Sequence, residues 1–267
     1  MFRVLMWVLA AALIAALGMA ALVFRNIASS GQFTTLKPMP SPGCQQVAGI
    51  SGVEDLVIDH ESGFVFFSAT DRRALFAGKP PASAGIYLGL SDKPELTPQN
   101  LTASLGDTFR PHGISLYRAA DGAKTLAAVN HPQADVSEIV LFDVVEERPN
   151  GGAPVVSLKL RTTIKDPLMP SANDVHLTGP NQFYASVDKG SQTKLGGQLE
   201  TWLGLARSWV AYWDGSKMSV AAEGLKYANG INGAADGSMI YVAEALGFQV
   251  RFYRRDPATG FLTEKGN

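Results

Sequence analysis

A hairpin pattern recurs four times along the 267-residue chain, and it constrains the fold more than any other feature of the sequence. Each unit consists of a polar or small cluster, a short apolar strand, a turn and a second apolar strand. The units begin at Gly52, Pro111, Asn173 and Ala228 and read GVEDLVIDHESGFVFFSA, PHGISLYRAADGAKTLAAVNH, NDVHLTGPNQFYASVD and ANGINGAADGSMIYVAEA. Their turns contain glycine, which readily adopts the positive φ that tight hairpins need. The sequence therefore predicts a fold built from repeated β-hairpins.

The spacing of the units distinguishes between β architectures. Counted from Glu54, His112, Asn173 and Asn229, successive units are offset by 58, 61 and 56 residues. A repeat of several tens of residues in hairpin-rich sequence is typical of a β-propeller, with one four-stranded blade per unit. Outer strands are predicted at four further apolar segments, Ala84–Leu88, Glu138–Phe142, Val155–Leu160 and Val250–Tyr253. The main alternative is a β-sandwich, which does not require polar residues to recur at one place in every unit.

The recurring polar residues indicate a site. The innermost strands of a propeller begin around a central channel, so Glu54, His112, Asn173 and Asn229 are predicted to converge at one mouth of that channel. Such a ring suits calcium, which takes about 6–8 oxygen ligands from carboxylates, amides, carbonyls and water. Zinc would need more histidine or cysteine than the ring offers, and the chain has a single cysteine, Cys44. Taken singly, these residues are more often turn or core residues, and it is their alignment that favours a metal role.

The amino terminus is predicted to be a separate element. Residues 4–24 contain no charged or strongly polar side chain and are long enough to cross a bilayer as a helix. We predict an anchoring helix over residues 1–25, a linker over 26–43 and the propeller over 44–267. A cleaved signal peptide is the alternative to an anchor. Export is favoured, with the propeller on the extracytoplasmic or lumenal side of the membrane or secreted. The net charge of −1 argues against a nucleic-acid partner.

Short segments in the repeats resemble one known family. They are Glu54-Asp55-Leu56, Pro111-His112-Gly113-Ile114-Ser115, Asn130-His131-Pro132, Asn173-Asp174, Phe183-Tyr184 and Ala228-Asn229-Gly230-Ile231-Asn232. In order and spacing they are similar to the paraoxonase/arylesterase family of calcium-dependent lactonases, over roughly residues 40–267. The resemblance implies a six-bladed propeller with two calcium ions in its channel. It also implies an uncleaved apolar amino terminus that associates with membrane or lipid.

The resemblance further implies roles for individual residues. An upper, catalytic calcium would be bound by Glu54, Asn173 and Asn229. A deeper, structural calcium would be bound by Asp55, Asp174 and the backbone carbonyl of Ile114. His112 and His131 match the family's histidine pair, which is proposed to activate the hydrolytic water. Residues 198–213 match an amphipathic lid helix that runs into the next strand.

The implied chemistry agrees with the residues themselves. Calcium can polarise an ester or lactone carbonyl and stabilise the oxyanion, while a neutral imidazole accepts a proton from water. No covalent nucleophile is then required, and the sequence contains no G-x-S-x-G motif. We therefore predict a membrane-anchored, calcium-dependent hydrolase of lactones or aryl esters. The alternatives are a calcium-stabilised propeller without turnover, and an enzyme like strictosidine synthase or gluconolactonase that uses other channel residues.

The sequence departs from the family pattern after the fourth unit. Six blades of this size need about 340 residues, whereas 224 run from Cys44 to Asn267. The Asp-Asn pair that the family uses for its upper calcium has no counterpart after Asn229, and the family's disulfide partner for Cys44 is missing. We therefore expect about four blades in a fragment of a longer lactonase-type protein. The natural substrate, the membrane orientation and the oligomeric state stay open.

Overall fold

The computed structural model describes residues 2–37, 39, 43–44, 47, 49–93, 95–133, 136–149, 152 and 154–265. Within these residues, sixteen strands form four antiparallel sheets of four strands each. In every sheet, neighbouring strands are consecutive in the chain, which is the meander of a propeller blade. The predicted all-β fold, with four blades of a propeller and an apolar N-terminal helix, is therefore confirmed.

The helices and strands have the following bounds. The helices are α1 Phe2–Ser29, α2 Arg72–Phe76 and α3 Lys194–Leu203, with a 3₁₀ segment at Ala103–Thr108. Blade 1 contains β1 Val53–Asp59, β2 Phe64–Thr70, β3 Ala84–Leu90 and β4 Gln99–Asn100. Blade 2 contains β5 Pro111–Arg118, β6 Lys124–Asn130, β7 Glu138–Glu147 and β8 Val155–Ile164. Blade 3 contains β9 Ala172–Gly179, β10 Gln182–Val187, β11 Ser208–Trp213 and β12 Met218–Leu225. Blade 4 contains β13 Ala228–Gly233, β14 Met239–Glu244, β15 Gln249–Arg255 and β16 Leu262–Glu264.

Three apolar clusters lie between adjacent blades, and the alternation of side chains along each strand creates them. In β6, Leu126 packs in the cluster between blades 1 and 2, whereas Ala127 packs in the cluster between blades 2 and 3. In β10, Phe183 faces blade 2 and Tyr184 faces blade 4. Successive residues of a strand point to opposite faces, so a strand covered on both faces is apolar throughout. The core is therefore a row of interfaces between sheets.

Two helices meet beside the propeller. Helix α1 is exposed along nearly its whole length and is the single described helix long and apolar enough to cross a membrane, a property shared by anchors and signal peptides. It ends at Ser29, so it includes part of the segment expected to be a linker. The Asn26 amide donates to the carbonyl of Trp202 in α3 at 2.9 Å. The Thr193 hydroxyl caps the N-terminus of α3 by accepting a hydrogen bond from the Gly196 amide. Gly204, with φ 61°, caps the C-terminus in the left-handed conformation.

Candidate active site

Every inner strand has a β-bulge at the same place. The regular pairing is interrupted at Glu54 in β1, at His112 and Gly113 in β5, at Asn173 in β9, and at Asn229 and Gly230 in β13. An unpaired bulge residue leaves the ladder and its side chain is re-aimed, which is why bulges are common beside active sites. The four residues aligned in the sequence therefore all lie in β-bulges.

Glu54, His112 and His131 form a continuous polar chain across blades 1 and 2. His112 Nε2 lies 2.8 Å from Glu54 Oε1, and His112 Nδ1 lies 3.2 Å from His131 Nε2. A carboxylate only accepts hydrogen bonds, so the contact with Glu54 requires a proton on His112 Nε2. The Arg72 guanidinium lies 4.0 Å from the second oxygen of Glu54. The structure thus brings both predicted catalytic histidines together with one predicted metal ligand.

His131 lies in a buried setting that favours its neutral form. Its Nδ1 lies 3.2 Å from the Val136 carbonyl and 3.3 Å from the Ser137 hydroxyl. Burial, followed by the neighbouring charge of His112, lowers the pKa of His131 to about 4. The imidazole is therefore neutral at neutral pH and able to accept a proton.

Asp55 and Asp174 occupy equivalent positions in blades 1 and 3, one residue after the bulge. Each carboxylate accepts from the backbone of the following blade: Asp55 from the Ile114 amide and Asp174 from the Ile231 amide, both at 2.8 Å. Burial raises the pKa of Asp55. Burial and the charges of Asp55 and Glu54 raise the pKa of Asp174 well above its usual range. Two buried carboxylates therefore lie near the channel axis, and at Asp55 the effects that raise the pKa outweigh the opposing effect of His112.

This arrangement fits a divalent cation. A carboxylate whose pKa is raised by burial and by a neighbouring carboxylate is stabilised when a cation binds beside it, since the ion favours the charged form. Amide oxygens are available at Asn173, which is buried, and at Asn229, which is half-buried. Among the described residues, no three His, Cys, Asp or Glu side chains form a metal cluster. Amide, backbone and water oxygens would therefore complete the coordination, which is the ligand set of calcium rather than zinc.

Two serines support the bulges and were missed in the sequence. Ser68 Oγ accepts from the Asp55 amide at 3.2 Å, and Ser186 Oγ accepts from the Asp174 amide at 3.1 Å. The Ser186 hydroxyl also contacts the Asn229 carbonyl, so it joins blade 3 to the bulge of blade 4. Both serines are fully buried. Their equivalent positions on the second strands of blades 1 and 3 are the signal that an alignment of the repeats offers.

A cavity of about 740 Å³ opens beside the histidine pair. Its wall includes His131 and Ser137 on one side, and Thr201 and Trp202 of helix α3 on the other. A second cavity, of about 670 Å³, follows the channel from Asp55 and Asp174 to the far ends of the inner strands. The first cavity gives a small molecule access to His131, and the second contains the paired carboxylates.

Fold and site together define a class: a β-propeller whose channel mouth has paired histidines and an oxygen-rich ring suited to a cation. The family model for arylesterase matches residues 43–263, and the chain belongs to the arylesterase family. It is 36% identical over 250 residues to human serum paraoxonase/arylesterase 1, covering 90% of this chain and 68% of that protein.

Two further matches are more distant. The chain is 34% identical over 224 residues to serum paraoxonase/arylesterase 2 of Bos taurus, covering 81% of this chain and 60% of the relative. Among solved structures, it resembles the calcium-binding protein regucalcin of Agrobacterium tumefaciens with a TM-score of 0.47 and 14% identity. That match covers 83% of this chain and 60% of the other, and it is too distant to bear on function.

Proposed function

We propose that this chain is a carboxylic ester hydrolase that acts on lactones or aryl esters, depends on calcium, and is held at a membrane by α1. The observation that supports this most directly is the continuous contact from Glu54 through His112 to His131, beside the buried carboxylates Asp55 and Asp174. Family membership supports hydrolysis of esters and lactones in general.

The histidine pair supplies the proton chemistry of this proposal. His131 is neutral, and its Nδ1 contacts the Ser137 hydroxyl, which also borders the cavity, so it can accept a proton that this hydroxyl relays from a water molecule held there. The water oxygen forms a bond to the carbonyl carbon, the carbon–oxygen bond to the leaving group breaks, and the leaving oxygen takes the proton back. His112 orients the pair because it contacts both His131 and Glu54.

Two calcium ions are proposed, by extension from the family. Glu54, Asn173 and Asn229 would hold the catalytic ion, and Asp55, Asp174 and the Ile114 carbonyl the structural one. When bound, calcium supplies Lewis-acid polarisation of the carbonyl and charge for the oxyanion. The protein's part is to present these oxygens from four bulged strands of a rigid fold.

Calcium titration of hydrolysis tests the proposal. Full-length protein in detergent should hydrolyse phenyl acetate or γ-butyrolactone, and a chelator should abolish the activity reversibly. Glu54→Gln and Asn173→Ala should each weaken the calcium dependence by about tenfold or more, since each removes a ligand. Glu223→Gln changes the same functional group at an exposed position in β12 and should behave as wild type. Equal rates in the wild type and both site variants would contradict the site assignment.

A calcium-stabilised propeller without turnover is the second candidate. It is favoured by the bonds that Asp55 and Asp174 accept from the next blade, because a cation there would tie blades together without any chemistry. In that case calcium would raise the melting temperature of the wild type and less so that of Asp174→Asn, while no ester or lactone would be hydrolysed.

Membrane anchoring has its own test. Helix α1 has exposed apolar side chains along its length and no contact with the cores between the blades. If it is an anchor, the expressed chain stays in membranes during alkaline carbonate extraction and retains its amino terminus by mass spectrometry. Release of a shortened chain into the soluble fraction would identify a cleaved signal peptide instead. Protease protection in sealed vesicles would then report the side on which the propeller lies.

A further inference from the structure

The cavity beside His131 has a polar and cationic wall. Ser191, Gln192 and Thr193 precede α3 in this wall, and Gln198 and Thr201 continue it along the helix. Among the described residues that line the cavity are two lysines, Lys189 and Lys194, and no carboxylate. Val136, Pro167, Pro170 and Trp202 form the apolar part of the lining, as in most ligand pockets. The polar side chains add hydrogen-bond donors and positive charge to that apolar surface.

Asp188 and Tyr227 fix the position of the Lys189 ammonium. Its Nζ lies 3.4 Å from Asp188 Oδ2 and 5.0 Å from the centre of the Tyr227 ring. The Ser171 hydroxyl donates to the other oxygen of Asp188, whose side chain is 9% exposed and does not line the cavity. Tyr227 has φ 61°, a strained conformation for an aromatic residue, and it places the ring against the ammonium. Lys189 keeps 32% of its side chain exposed, toward the cavity.

Lys189 also belongs to a series of basic residues at the mouth of the channel. Arg72, His131 and Lys189 each follow the second strand of their blade within two residues, after β2, β6 and β10. Arg72 contacts Glu54, and His131 contacts His112. Lys189 lines the cavity and pairs with Asp188, and because an ammonium has three donors it has a donor to spare.

We propose that this cavity binds the acyl part of the substrate and that Lys189 anchors an anionic group on it. The preferred substrates are then lactones or esters that carry a carboxylate. The hydroxyl and amide side chains of the α3 wall would hydrogen-bond the remaining oxygens. This inference rests on the proposed hydrolase function, and its test separates the two.

Matched aryl esters test the anchor. Full-length protein with calcium is assayed with 4-nitrophenyl hemisuccinate, which carries a carboxylate, and with its neutral methyl ester. Wild type should prefer the anionic ester by at least about tenfold in kcat/KM, because the free energy of one charge-assisted hydrogen bond corresponds to a factor of about this size. Lys189→Met should lose that preference mainly through a higher KM for the anionic ester, with the neutral ester little changed. Lys189→Arg should retain most of it, and Lys217→Met, the same charge change on an exposed turn, should match wild type.

Two results would overturn the proposal that Lys189 binds an anionic group of the substrate. One is a wild type that hydrolyses the neutral ester as well as or better than the anionic one. The other is a Lys189→Met variant that loses equal activity on both esters, since that pattern indicates a structural role.

If neither ester is hydrolysed, the proposed function fails. A binding measurement then tests separately whether Lys189 binds an anionic group. Calorimetric titration with pyroglutamate, a lactam bearing a carboxylate, is compared with titration of its neutral methyl ester. Binding of pyroglutamate that is lost in Lys189→Met supports the anionic subsite. No binding of pyroglutamate to the wild type, or binding unaffected by Lys189→Met, rejects it.

Discussion

Leu56 in blade 1 and Val175 in blade 3 occupy equivalent positions, each directly after the aspartate that follows the bulge. Val175 is 1% exposed, whereas Leu56 is 49% exposed. Blade 3 has a neighbouring blade on each face, whereas among the described residues blade 1 shares an apolar cluster only with blade 2. The comparison teaches that the sequence of a strand sets which side chains share a face, while the neighbouring sheet sets whether that face is buried.

Blades 2 and 4 differ in the same way. Phe142 on the third strand of blade 2 faces blade 1 and is 1% exposed, whereas Phe252 on the third strand of blade 4 lies on the face away from blade 3 and is 47% exposed. Val250 and Phe248 lie near Phe252 and are also about half exposed. The two end blades thus each present an apolar face on their outer side, while the buried core lies between the blades. Mutations of one covered and one uncovered phenylalanine can measure this difference.

The largest effect is expected at Phe142. Phe142→Ala should lower the free energy of unfolding by about 3–5 kcal/mol, since it removes a fully buried ring and leaves a cavity. Phe252→Ala should cost less than about 1 kcal/mol because that ring is already half exposed. Urea denaturation of the full chain in calcium and detergent, followed by tryptophan fluorescence, measures both. Equal costs would mean that another partner covers blade 4 in solution.

The covered face of blade 1 should respond strongly at Asp59. Asp59 is 5% exposed and contacts Lys124 at 2.5 Å and Arg118 at 2.9 Å, both in blade 2. Burial alone would raise its pKa, but hydrogen bonds from Lys124, Ser62 and Arg118 outweigh this and hold the pKa well below its usual range. Asp59→Asn should therefore cost about 1–3 kcal/mol at pH 7.

The pH dependence of that cost has a defined sign. A lowered pKa in the folded state stabilises the fold above the unfolded pKa near 3.8, and this stabilisation is lost as the pH falls further. The gap between wild type and Asp59→Asn should thus be constant from pH 7 to 5 and shrink below pH 4 in denaturation curves. Asp92→Asn, at an exposed position, is the control. A gap that is unchanged at pH 3 would reject the ion-pair explanation.

The two equivalent inner-strand positions give the sharpest comparison. Val175→Ala should cost about 2 kcal/mol, because two buried methyl groups are removed. Leu56→Ala should cost less than about 0.5 kcal/mol, although it removes more carbon atoms. The same denaturation assay compares them. If Leu56→Ala proved the more costly, blade 1 would have to be covered on its outer face.

The smallest effect concerns Asp55 and Asp174, and its sign depends on calcium. A raised pKa in the folded state means that stability falls as the pH rises above about 3.8 in calcium-free protein. At pH 7 with a chelator, Asp174→Asn should therefore raise the melting temperature by about 2–4 °C, and Asp55→Asn by less. With calcium present, both substitutions should lower it. A decrease for Asp174→Asn in the chelator would reject the charge repulsion.

Part of the site was predictable from the repeats. The alignment of Glu54, His112, Asn173 and Asn229 anticipated four positions that the structure places at bulges of the inner strands. That alignment works because a bulge residue interrupts a regular apolar alternation and is visible in the sequence. The resemblance to the paraoxonase/arylesterase family, now confirmed, added His131 and the two aspartates. Their roles in binding calcium and moving protons stay predictions.

Other site residues carried no local signal. Ser186 matters because its hydroxyl meets a carbonyl of the next blade, and Lys189 because helix α3 closes a cavity in front of it. The Asn229 carbonyl is 43 residues from Ser186. Helix α3 begins five residues after Lys189, but the cavity between them is not visible in the sequence. Helix α1 was also predicted to end earlier than Ser29, since its last turn is polar and is supported by the contact of Asn26 with α3.

The sequence by itself determined the number and order of the blades, the polar position in each inner strand and the apolar amino-terminal helix. These depend on alternation, glycine turns and hydrophobic length, which act between residues close in the chain. Only the tertiary structure decided that Val175 is buried and Leu56 is not, that His131 is neutral, and that Asp174 shares its surroundings with Asp55. The partners of Asp55 and Asp174 come from strands more than 50 residues away in the chain. The burial of Val175 and His131 depends on how neighbouring sheets and loops pack, so no local pattern encodes these properties.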